Sequence, residues 1–214
     1  MCGRFVNINK IKKIKKIFDI SDSNELNENI SYNVAPSHKL NIIIKKNNFS
    51  INESSWGINF INKQSNENIN MINSRIETLS KNIYFNNSSI KNRCLIPANG
   101  FFEWQLKNNN KTPFFFQIPV LELFFFAGIW KIDLNKNISF SIITKKANNF
   151  LFEIHHRMPI ILDLNNAINY LNYELNYEDL KKDLDIENDL DYYPVSKFVN
   201  SPINNTNECI KSLN

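Results

Sequence analysis

Apolar residues near the start of the chain recur three and four positions apart with lysines between them: Ile11, Ile14, Ile17 and Phe18. This spacing places them on one face of a helix. The pattern therefore predicts a short amphipathic helix that ends near Ser21. Asn, Ser and Glu fill residues 21–30 and predict a loop.

Short apolar runs separated by polar, Asn-rich stretches dominate the middle of the chain. Runs of this length, rich in Ile and Phe, are typical of β-strands. The predicted strands are 41–46, 50–58, 93–97, 101–106, 113–118, 123–132 and 138–144. The polar segments 62–70 and 107–111 predict connections.

The spacing of apolar residues becomes helical from about Asn165 onward, with Ile168, Leu171, Tyr173, Leu175, Leu180, Leu184 and Leu190. A short extended tail is predicted around Val195 to Pro202. The chain has no internal repeat and no clear linker. Many strands with a few peripheral helices predict one α+β domain over residues 1–214, built on a curved sheet or barrel.

Composition narrows the class of protein. Hydrophobic residues make up 43% of the 214 residues and aromatic residues 13%, which excludes a disordered chain. No apolar run is long enough to span a bilayer, and no apolar signal region is seen at the start. The net charge of +4 permits a nucleic-acid partner without requiring one.

Three cysteines, at positions 2, 94 and 209, share no spacing typical of a metal site. Their odd number fits free thiols in a reducing cytosol better than a disulfide framework. Neither a metal ion nor a cofactor is expected.

The predicted first helix carries five lysines: Lys10, Lys12, Lys13, Lys15 and Lys16. A basic face of this kind can contact a phosphate backbone or an anionic membrane. A solvated face is the more frequent meaning of such a run and is favoured here.

Arginine and glycine are scarce in this chain, which is dominated by Asn, Ile and Lys. The arginines are Arg4, Arg75, Arg93 and Arg157, and the glycines are Gly3, Gly57, Gly100 and Gly128. An Arg kept where Lys would supply charge suggests a need for the planar guanidinium fork. A kept Gly suggests a backbone position with no room for a side chain.

Cys2 is the sharpest chemical feature of the sequence. Removal of Met1 would leave an α-amine and a thiol on adjacent carbons. An α-amine has a pKa of about 7.7–8.0, so much of it is a neutral nucleophile near pH 7. It can form a Schiff base with an aldehyde, and the thiol can then close a five-membered thiazolidine ring. On position alone, a Cys that follows Met1 by accident is the simpler explanation.

Glu103 and Trp104 follow the segment Pro97-Ala98-Asn99-Gly100-Phe101-Phe102. Burial of Glu103 among these aromatic residues would raise its pKa and allow it to move protons. Alternation along a strand leaves a solvent-facing Glu103 equally open. Trp104 is either a core residue or a stacking platform for a base.

Two further clusters combine polar side chains with an arginine. His155, His156 and Arg157 precede Met158 and Pro159, and they offer an acid or base near neutral pH beside a phosphate clamp. Asn73 and Arg75 combine an orienting amide with a second guanidinium fork. A polar turn is the alternative meaning of the histidine pair.

Together these motifs resemble the SRAP family, the SOS response-associated peptidases or abasic-site processing proteins. The resemblance rests on Met-Cys-Gly-Arg-Phe at the start, Asn-Ser-Arg-Ile-Glu-Thr at 73–78, Arg93 to Trp104, Phe126 to Trp130, His155 to Pro159, Val195-Ser196 and Val199-Asn200. It covers nearly the whole chain in the expected order.

The resemblance implies a single domain built on a distorted antiparallel β-barrel or curved sheet with flanking helices. It implies that self-processing removes Met1 and that Cys2 then crosslinks to an abasic site in single-stranded DNA. The implied catalytic residues are Cys2, Asn73, Glu103 and His155. The implied DNA-binding residues are Arg4, Arg75, Trp104, Thr144 and Arg157.

A monomer with single-stranded DNA as its partner, no membrane association and no cofactor is expected. The protein would work in a bacterial cytoplasm, associated with the nucleoid, or in a nucleus if the source is eukaryotic. Two features depart from the family pattern. Phe102 stands where a Tyr is frequent, and Trp56-Gly57 continues into Ile58-Asn59-Phe60 without the usual Pro and Trp.

Three alternatives stay open at this stage. A thiol hydrolase would use Cys94 and a histidine. A noncatalytic nucleic-acid-binding module would use Trp104, phenylalanines and lysines, with reversible and salt-sensitive binding. A peptidase acting on other proteins is disfavoured, because no segment indicates a peptide-binding groove. Arg93 has no implied DNA contact and is expected in a structural salt bridge.

Overall fold

Strands dominate the computed structural model, which describes residues 2–21, 25–61, 65–81, 92–172, 184 and 189–213. The strands are β1 Arg4–Asn7, β2 Ser31–Val34, β3 Lys39–Lys45, β4 Phe49–Trp56, β5 Ile58–Ile61, β6 Asn68–Met71, β7 Asn73–Arg75, β8 Arg93–Ala98, β9 Gly100–Lys107, β10 Asn110–Gln117, β11 Phe124–Ile132, β12 Ile138–Lys146, β13 Arg157–Pro159, β14 Ile161–Leu162 and β15 Asp191–Pro194.

The α-helices within these residues are short and lie around the sheets: α1 Ile11–Ile17, α2 Asn149–Phe152 and α3 Leu164–Tyr170. Short segments of 3-10 helix cover Ile76–Lys81, Lys197–Asn200 and Asn207–Ile210. Among the described residues, none of these helices combines the length and the apolar character that crossing a bilayer requires.

Two larger sheets form the body of the molecule. One has five strands in the order β15-β10-β9-β1-β2. The other has eight strands, follows the path β13-β12-β4-β3-β8-β11-β14, and adds β7 beside β12. A further β11–β12 pairing curves this sheet back on itself. The α+β class with a curved sheet is confirmed. The sheet is not a regular barrel, and β12 runs parallel to both β4 and β7.

The eight-stranded sheet is apolar on both faces, which explains the continuous Ile and Phe runs in the sequence. In β3, Ile42 and Ile44 face the core beneath the five-stranded sheet, where Cys2 also lies. Ile43 faces the opposite core, which α1 covers with Ile14 and Phe18. Alternate residues of one strand therefore serve two cores, as the twofold side-chain period of a strand requires.

Most sequence-based elements match the structure. The first helix and the seven predicted strands are present, with bounds shifted by a few residues. The helical pattern after Asn165 is confirmed for α3. The rest of that pattern, over 173–183 and 185–188, lies outside the described residues. The tail is only partly extended, because Lys197–Asn200 forms a 3-10 turn that the Ser196 hydroxyl caps at the Phe198 N–H.

Two glycines confirm the expectation of positions without room for a side chain. A Cβ at Gly100 would lie 2.1 Å from the Phe115 ring and 2.7 Å from the Phe116 carbonyl oxygen. Gly57 adopts φ +120°, which side-chain-bearing residues rarely tolerate. Gly100 begins β9, so this close contact fixes the strand that carries Glu103.

One buried amide holds the end of the described chain against the five-stranded sheet. The Asn33 side chain has no exposed surface. Its Nδ2 donates to the carbonyl oxygens of Val199, Ser201 and Asn204 at 3.1, 2.9 and 2.8 Å. Its Oδ1 accepts a hydrogen bond of 2.8 Å from Arg4. Four connections therefore depend on one side chain of β2.

Replacing Asn33 by alanine is expected to lower the free energy of unfolding by roughly 2–4 kcal/mol, because several buried polar groups lose their partner. Urea unfolding measures this loss. Asn205→Ala is the matched control, because its amide bonds the nearby Ser31 and Tyr32 from a more exposed position. An Asn33→Ala loss no larger than that of Asn205→Ala would contradict the anchoring role.

Candidate active site

Cys2 lies in a closed environment at the entry to β1. Its side chain has no exposed surface, and its Sγ is 3.9 Å from the Arg4 carbonyl oxygen. Burial, followed by the negative charge of Glu103, raises the pKa of the Cys2 thiol far above its usual range. The thiol is therefore protonated at neutral pH, and a thiolate forms only when a base removes the proton.

Asn73 fixes the backbone of Cys2. Its Nδ2 donates a 2.8 Å hydrogen bond to the Cys2 carbonyl oxygen. The parallel pairing of β7 with β12 positions this amide. Asn73 Oδ1 is buried and has no hydrogen-bond partner among the described residues. It is an acceptor directed into the site, available to a group that arrives during a reaction.

Glu103 is the buried carboxylate of the site and is only 3% exposed. Burial is the main cause that raises its pKa from 4.5 to about 7, and the positive N-terminal amino group acts in the opposite direction. Arg4 lies opposite Phe102 in the β1–β9 ladder, so the start of the chain runs beside Glu103. A carboxyl group with this pKa can both donate and accept a proton near neutral pH.

The raised pKa of Glu103 has a consequence for stability. The unfolded chain ionises this carboxyl near pH 4.5 and the folded chain near pH 7. The contribution to stability is therefore complete below pH 4.5 and is lost as the pH rises through 7. Glu103→Gln is expected to be more stable than the natural protein at pH 8, by at most roughly 3 kcal/mol, and to lose this advantage towards pH 4.5.

Urea unfolding between pH 4.5 and 8 measures the difference, with the N-termini of both proteins matched by intact mass. Glu53→Gln is the control, because Glu53 pairs with Lys39 at the surface. A difference between Glu103→Gln and the natural protein that does not change with pH would contradict the raised pKa.

His155 follows α2 and is half-buried. Its Nδ1 lies 3.0 Å from the Arg157 backbone N–H and 3.2 Å from the Arg157 carbonyl oxygen. In the neutral tautomer that accepts from this N–H, the ring carries its proton on Nε2. Burial, and next the charge of the N-terminal amino group, lower the pKa of His155. The lowered pKa favours the neutral ring at pH 7, and in the tautomer that accepts from the Arg157 N–H its Nε2 is a hydrogen-bond donor.

Arg157 is held in a bidentate ion pair. Its Nη1 and Nη2 contact the two carboxylate oxygens of Glu77 at 2.7 and 3.0 Å. Nη2 also donates to the Thr144 carbonyl oxygen at 2.7 Å and approaches the Thr144 hydroxyl at 3.2 Å. Burial raises the pKa of Glu77, but the Arg157 hydrogen bond and charge outweigh it, so the net shift is downward.

Thr144 is fully buried, and its hydroxyl also donates to the Ser74 carbonyl oxygen at 3.4 Å. It joins β12 to β7 and to Arg157 in this structure. Contact between its hydroxyl and a DNA phosphate would require these bonds to be exchanged.

Arg4 and Arg75 have contrasting environments. Arg4 donates to Asn33 and to the carbonyl oxygens of Val199 and Asn200 at 2.9 and 3.0 Å, so much of its fork is used within the protein. Arg75 is exposed, and its guanidinium has no hydrogen-bond or ion-pair partner among the described residues. Arg75 is therefore the more accessible of the two for a phosphate.

Trp104 is half-buried at the surface of β9. Its indole N–H donates to Asn200 Oδ1 at 2.8 Å, and Lys111 Nζ lies 5.7 Å from the centre of its ring. The Trp104 ring packs partly against the small core that contains Phe102. The side chain is thus a partly exposed aromatic surface whose orientation is fixed at the indole nitrogen.

Other residues that the sequence singled out have structural environments. Cys94 is fully buried in β8, and burial raises the pKa of its thiol, which disfavours a hydrolase based on it. Arg93 is 3% exposed and donates to the carbonyl oxygens of Tyr170 and Asn172, so its contacts are structural. Phe102 faces the small core with Phe115, so the hydroxyl of a Tyr there would not point towards Glu103.

Two supporting side chains were missed by sequence reasoning. Glu77 pairs with Arg157, and its place within Asn-Ser-Arg-Ile-Glu-Thr was a usable signal. Asn200 orients Trp104, but one Asn in an Asn-rich chain gives no signal. Across the described segments, no group of three or more His, Cys, Asp or Glu residues is arranged to hold a metal ion.

In this mixed α+β fold, a buried cysteine at the start of the chain is bonded by the Asn73 amide of β7 and lies near the buried Glu103 carboxyl group of β9. These features define a class of protein whose candidate site is built around its N-terminus. The family model described as SOS response associated peptidase (SRAP) matches residues 1–202. The chain belongs to this family.

Relatives span bacteria and eukaryotes. The chain is 36% identical to the abasic site processing protein YoqW of Bacillus subtilis, over 99% of this chain and 100% of that protein. It is 29% identical to the abasic site processing protein HMCES of Xenopus tropicalis, over 66% of this chain and 50% of that protein. A crystal structure of a Bacteroides thetaiotaomicron protein has a TM-score of 0.79 at 22% identity and covers 99% of this chain and 100% of that chain, which shows the shared fold.

Proposed function

We propose that this protein processes abasic sites in single-stranded DNA by forming a covalent bond through Cys2 after loss of Met1. The observation that carries the proposal is the arrangement around Cys2. An amide holds its carbonyl oxygen at 2.8 Å, and a buried carboxyl with a pKa of about 7 acts on its thiol. The names of the relatives support abasic sites as the lesion.

The first step of the proposal is self-processing. Hydrolysis of the Met1–Cys2 peptide bond consumes one water and releases methionine. Glu103 would take a proton from the water and return it to the departing Cys2 nitrogen, as a group that titrates near pH 7 can do. Asn73 would keep Cys2 in place through its carbonyl oxygen. The product is an α-amine beside a thiol.

The second step joins the protein to the lesion. The neutral His155 ring would donate a hydrogen bond from Nε2 to the ring oxygen of the sugar and favour the open aldehyde. The Cys2 amine attacks this aldehyde to give a carbinolamine. Protonated Glu103 then helps one water to leave, and a Schiff base forms.

The third step closes the ring. The Cys2 thiol adds to the Schiff-base carbon, its proton passes to the nitrogen, and a thiazolidine results. Because the thiol pKa is raised, the Glu103 carboxylate is needed to accept that proton and deliver it. The same Schiff base is the intermediate of a lyase-type strand cleavage, and rapid ring closure would compete with that cleavage.

Single-stranded DNA would be held by its phosphates without regard to sequence. Arg75 is exposed and suited to this role. Arg157 would engage a phosphate by exchanging its contacts with Glu77, and Arg4 would do so only through the part of its fork that the protein leaves open. Trp104 would cover a base face near the lesion. We further propose that residues 1–214 act as one domain and as a monomer.

Denaturing gel electrophoresis tests the proposal. Purified protein is incubated with a single-stranded oligonucleotide that carries one abasic site and is then heated. A heat-stable band of lower mobility is expected with the abasic oligonucleotide and absent with the intact one. Binding that is reversible and leaves no such band would instead favour a noncatalytic nucleic-acid-binding module.

A further inference from the structure

Two partly exposed phenylalanines of α2 lie five and three residues before His155. Phe150 is 45% exposed and Phe152 is 50% exposed. We propose that these rings, with the neighbouring His156, form a stacking platform for an unpaired base adjacent to the abasic nucleotide. This inference deepens the proposed function and rests on it. The three side chains are called the α2 platform below.

The α2 platform is held outward by a firmly anchored turn. Leu151, between the two phenylalanines, has no exposed surface and packs in the core that also contains Cys2. The Asn148 side chain caps the turn by accepting the Leu151 N–H at 3.1 Å. Gln105 of β9 donates to the Glu153 carbonyl oxygen at 3.0 Å. The rings are therefore displayed by a fixed backbone.

Ring contacts link the α2 platform to the strand that carries Glu103. Phe150 meets Tyr192 edge to face with ring centres 4.9 Å apart, and Tyr192 meets Phe114 at 5.6 Å. Phe114 lies opposite Glu103 in the β9–β10 ladder, so the two side chains share a face of the sheet. The platform is thus continuous with the candidate active site.

The Phe152 and His156 rings of the α2 platform lie near His155, the candidate catalytic histidine. The Phe152 and His156 rings are 4.6 Å apart and tilted by 51°. The His155 and His156 ring centres are 6.4 Å apart. A base seated on Phe152, with His156 at its edge, would therefore neighbour a sugar placed at His155.

An unpaired base is the occupant that fits this chemistry. An abasic nucleotide lacks a base, so each flanking base loses a stacking neighbour, and an aromatic ring can replace it without regard to sequence. The surroundings also favour a polyanion, because Arg75 and Lys146 are exposed cations. Lys146 lies opposite Arg157 in the backbone register of β12 and β13, which places a further cation beside it. Apolar contact with a protein would not require these cations.

Fluorescence of 2-aminopurine tests the inference, because stacking quenches it. The probe is a single-stranded oligonucleotide with 2-aminopurine beside a tetrahydrofuran that stands in for the abasic nucleotide and cannot react. Two such oligonucleotides place the fluorophore on the 5′ or the 3′ side. The natural protein is expected to quench one of them, and Phe152→Ala to abolish the quenching and weaken binding by about fivefold to a hundredfold.

Matched variants separate stacking from general apolar contact. Phe152→Tyr is expected to retain quenching and affinity, and Phe152→Leu is expected to lose the quenching. Leu134→Ala, at a fully exposed leucine in the β11–β12 turn, is expected to change nothing. Circular dichroism verifies that each variant is folded.

The outcomes distinguish failure of this inference from failure of the proposed function. Normal quenching by Phe152→Leu would overturn the α2 platform, because the fluorophore would then be quenched elsewhere on the protein. Absence of quenching at both positions by a natural protein that still crosslinks a true abasic oligonucleotide would overturn the α2 platform alone. Absence of crosslinking by the natural protein would overturn the proposed function itself.

Discussion

Replacing Cys2 by alanine is expected to abolish the heat-stable adduct with abasic single-stranded DNA. The variant keeps an α-amine after loss of Met1, so it can still form a Schiff base, but it has no thiol to close the ring. A Schiff base hydrolyses readily, whereas the thiazolidine has two bonds to the sugar carbon. Gel analysis with and without borohydride, which reduces a Schiff base to a stable amine, measures both species.

The other cysteines provide the controls for this experiment. Cys94→Ala and Cys209→Ala alter thiols that are buried in other parts of the core and are expected to crosslink normally. The Cys2→Ala protein is expected to give an adduct only when borohydride is present. A full yield of heat-stable adduct from Cys2→Ala would refute the role of its thiol, and loss with Cys94→Ala alone would favour the thiol hydrolase.

Glu103→Gln is expected to slow single-turnover crosslinking by about a hundredfold to ten-thousandfold, the range typical of a lost general acid–base group. The pH profile gives a sharper test than the rate. In the natural protein, the α-amine must be neutral and Glu103 protonated, so the rate passes through a maximum near neutrality. Above pH 7, Glu103 loses its proton and the rate falls.

The alkaline fall is expected to disappear in Glu103→Gln, because glutamine has no proton to lose, while the acidic limb set by the amine remains. Glu53→Gln serves again as the surface control, with an unchanged profile. A Glu103→Gln protein that is slower but keeps the alkaline fall would show that another group titrates there. Because Glu103 is also the proposed base of self-processing, Met1 is removed from Glu103→Gln with a methionine aminopeptidase, and intact mass verifies its loss in each variant before the rates are compared.

Much of the fold was predictable because its strands are apolar on both faces. The runs at 123–132 and 138–144 became β11 and β12 with small shifts of their ends. The missed strands are short or polar. Asn73-Ser74-Arg75 forms β7 because its backbone pairs with β12, and nothing in its side-chain pattern signals a strand.

Some residues of the candidate site were predictable from the sequence. Their side chains are reactive or charged, and the motifs that contain them resemble those of a known family. The structure brings Cys2 and Asn73 into contact and buries Glu103 nearby. The structure also shows different environments for arginines that the sequence could not distinguish. Arg4 and Arg157 are engaged with protein acceptors, whereas Arg75 is exposed. Partners such as Asn33 and Asn200 depend on contacts between distant segments, which a single sequence does not reveal.

The most direct measurement of the central claim is mass spectrometry of the adduct after nuclease and protease digestion. The predicted result is a single modified peptide that begins at Cys2, lacks Met1, and carries the sugar with the loss of one water. Fragmentation should locate the modification on Cys2 itself. A modified lysine, a modified Cys94, or an adduct on a peptide that still begins with Met1 would contradict the claim.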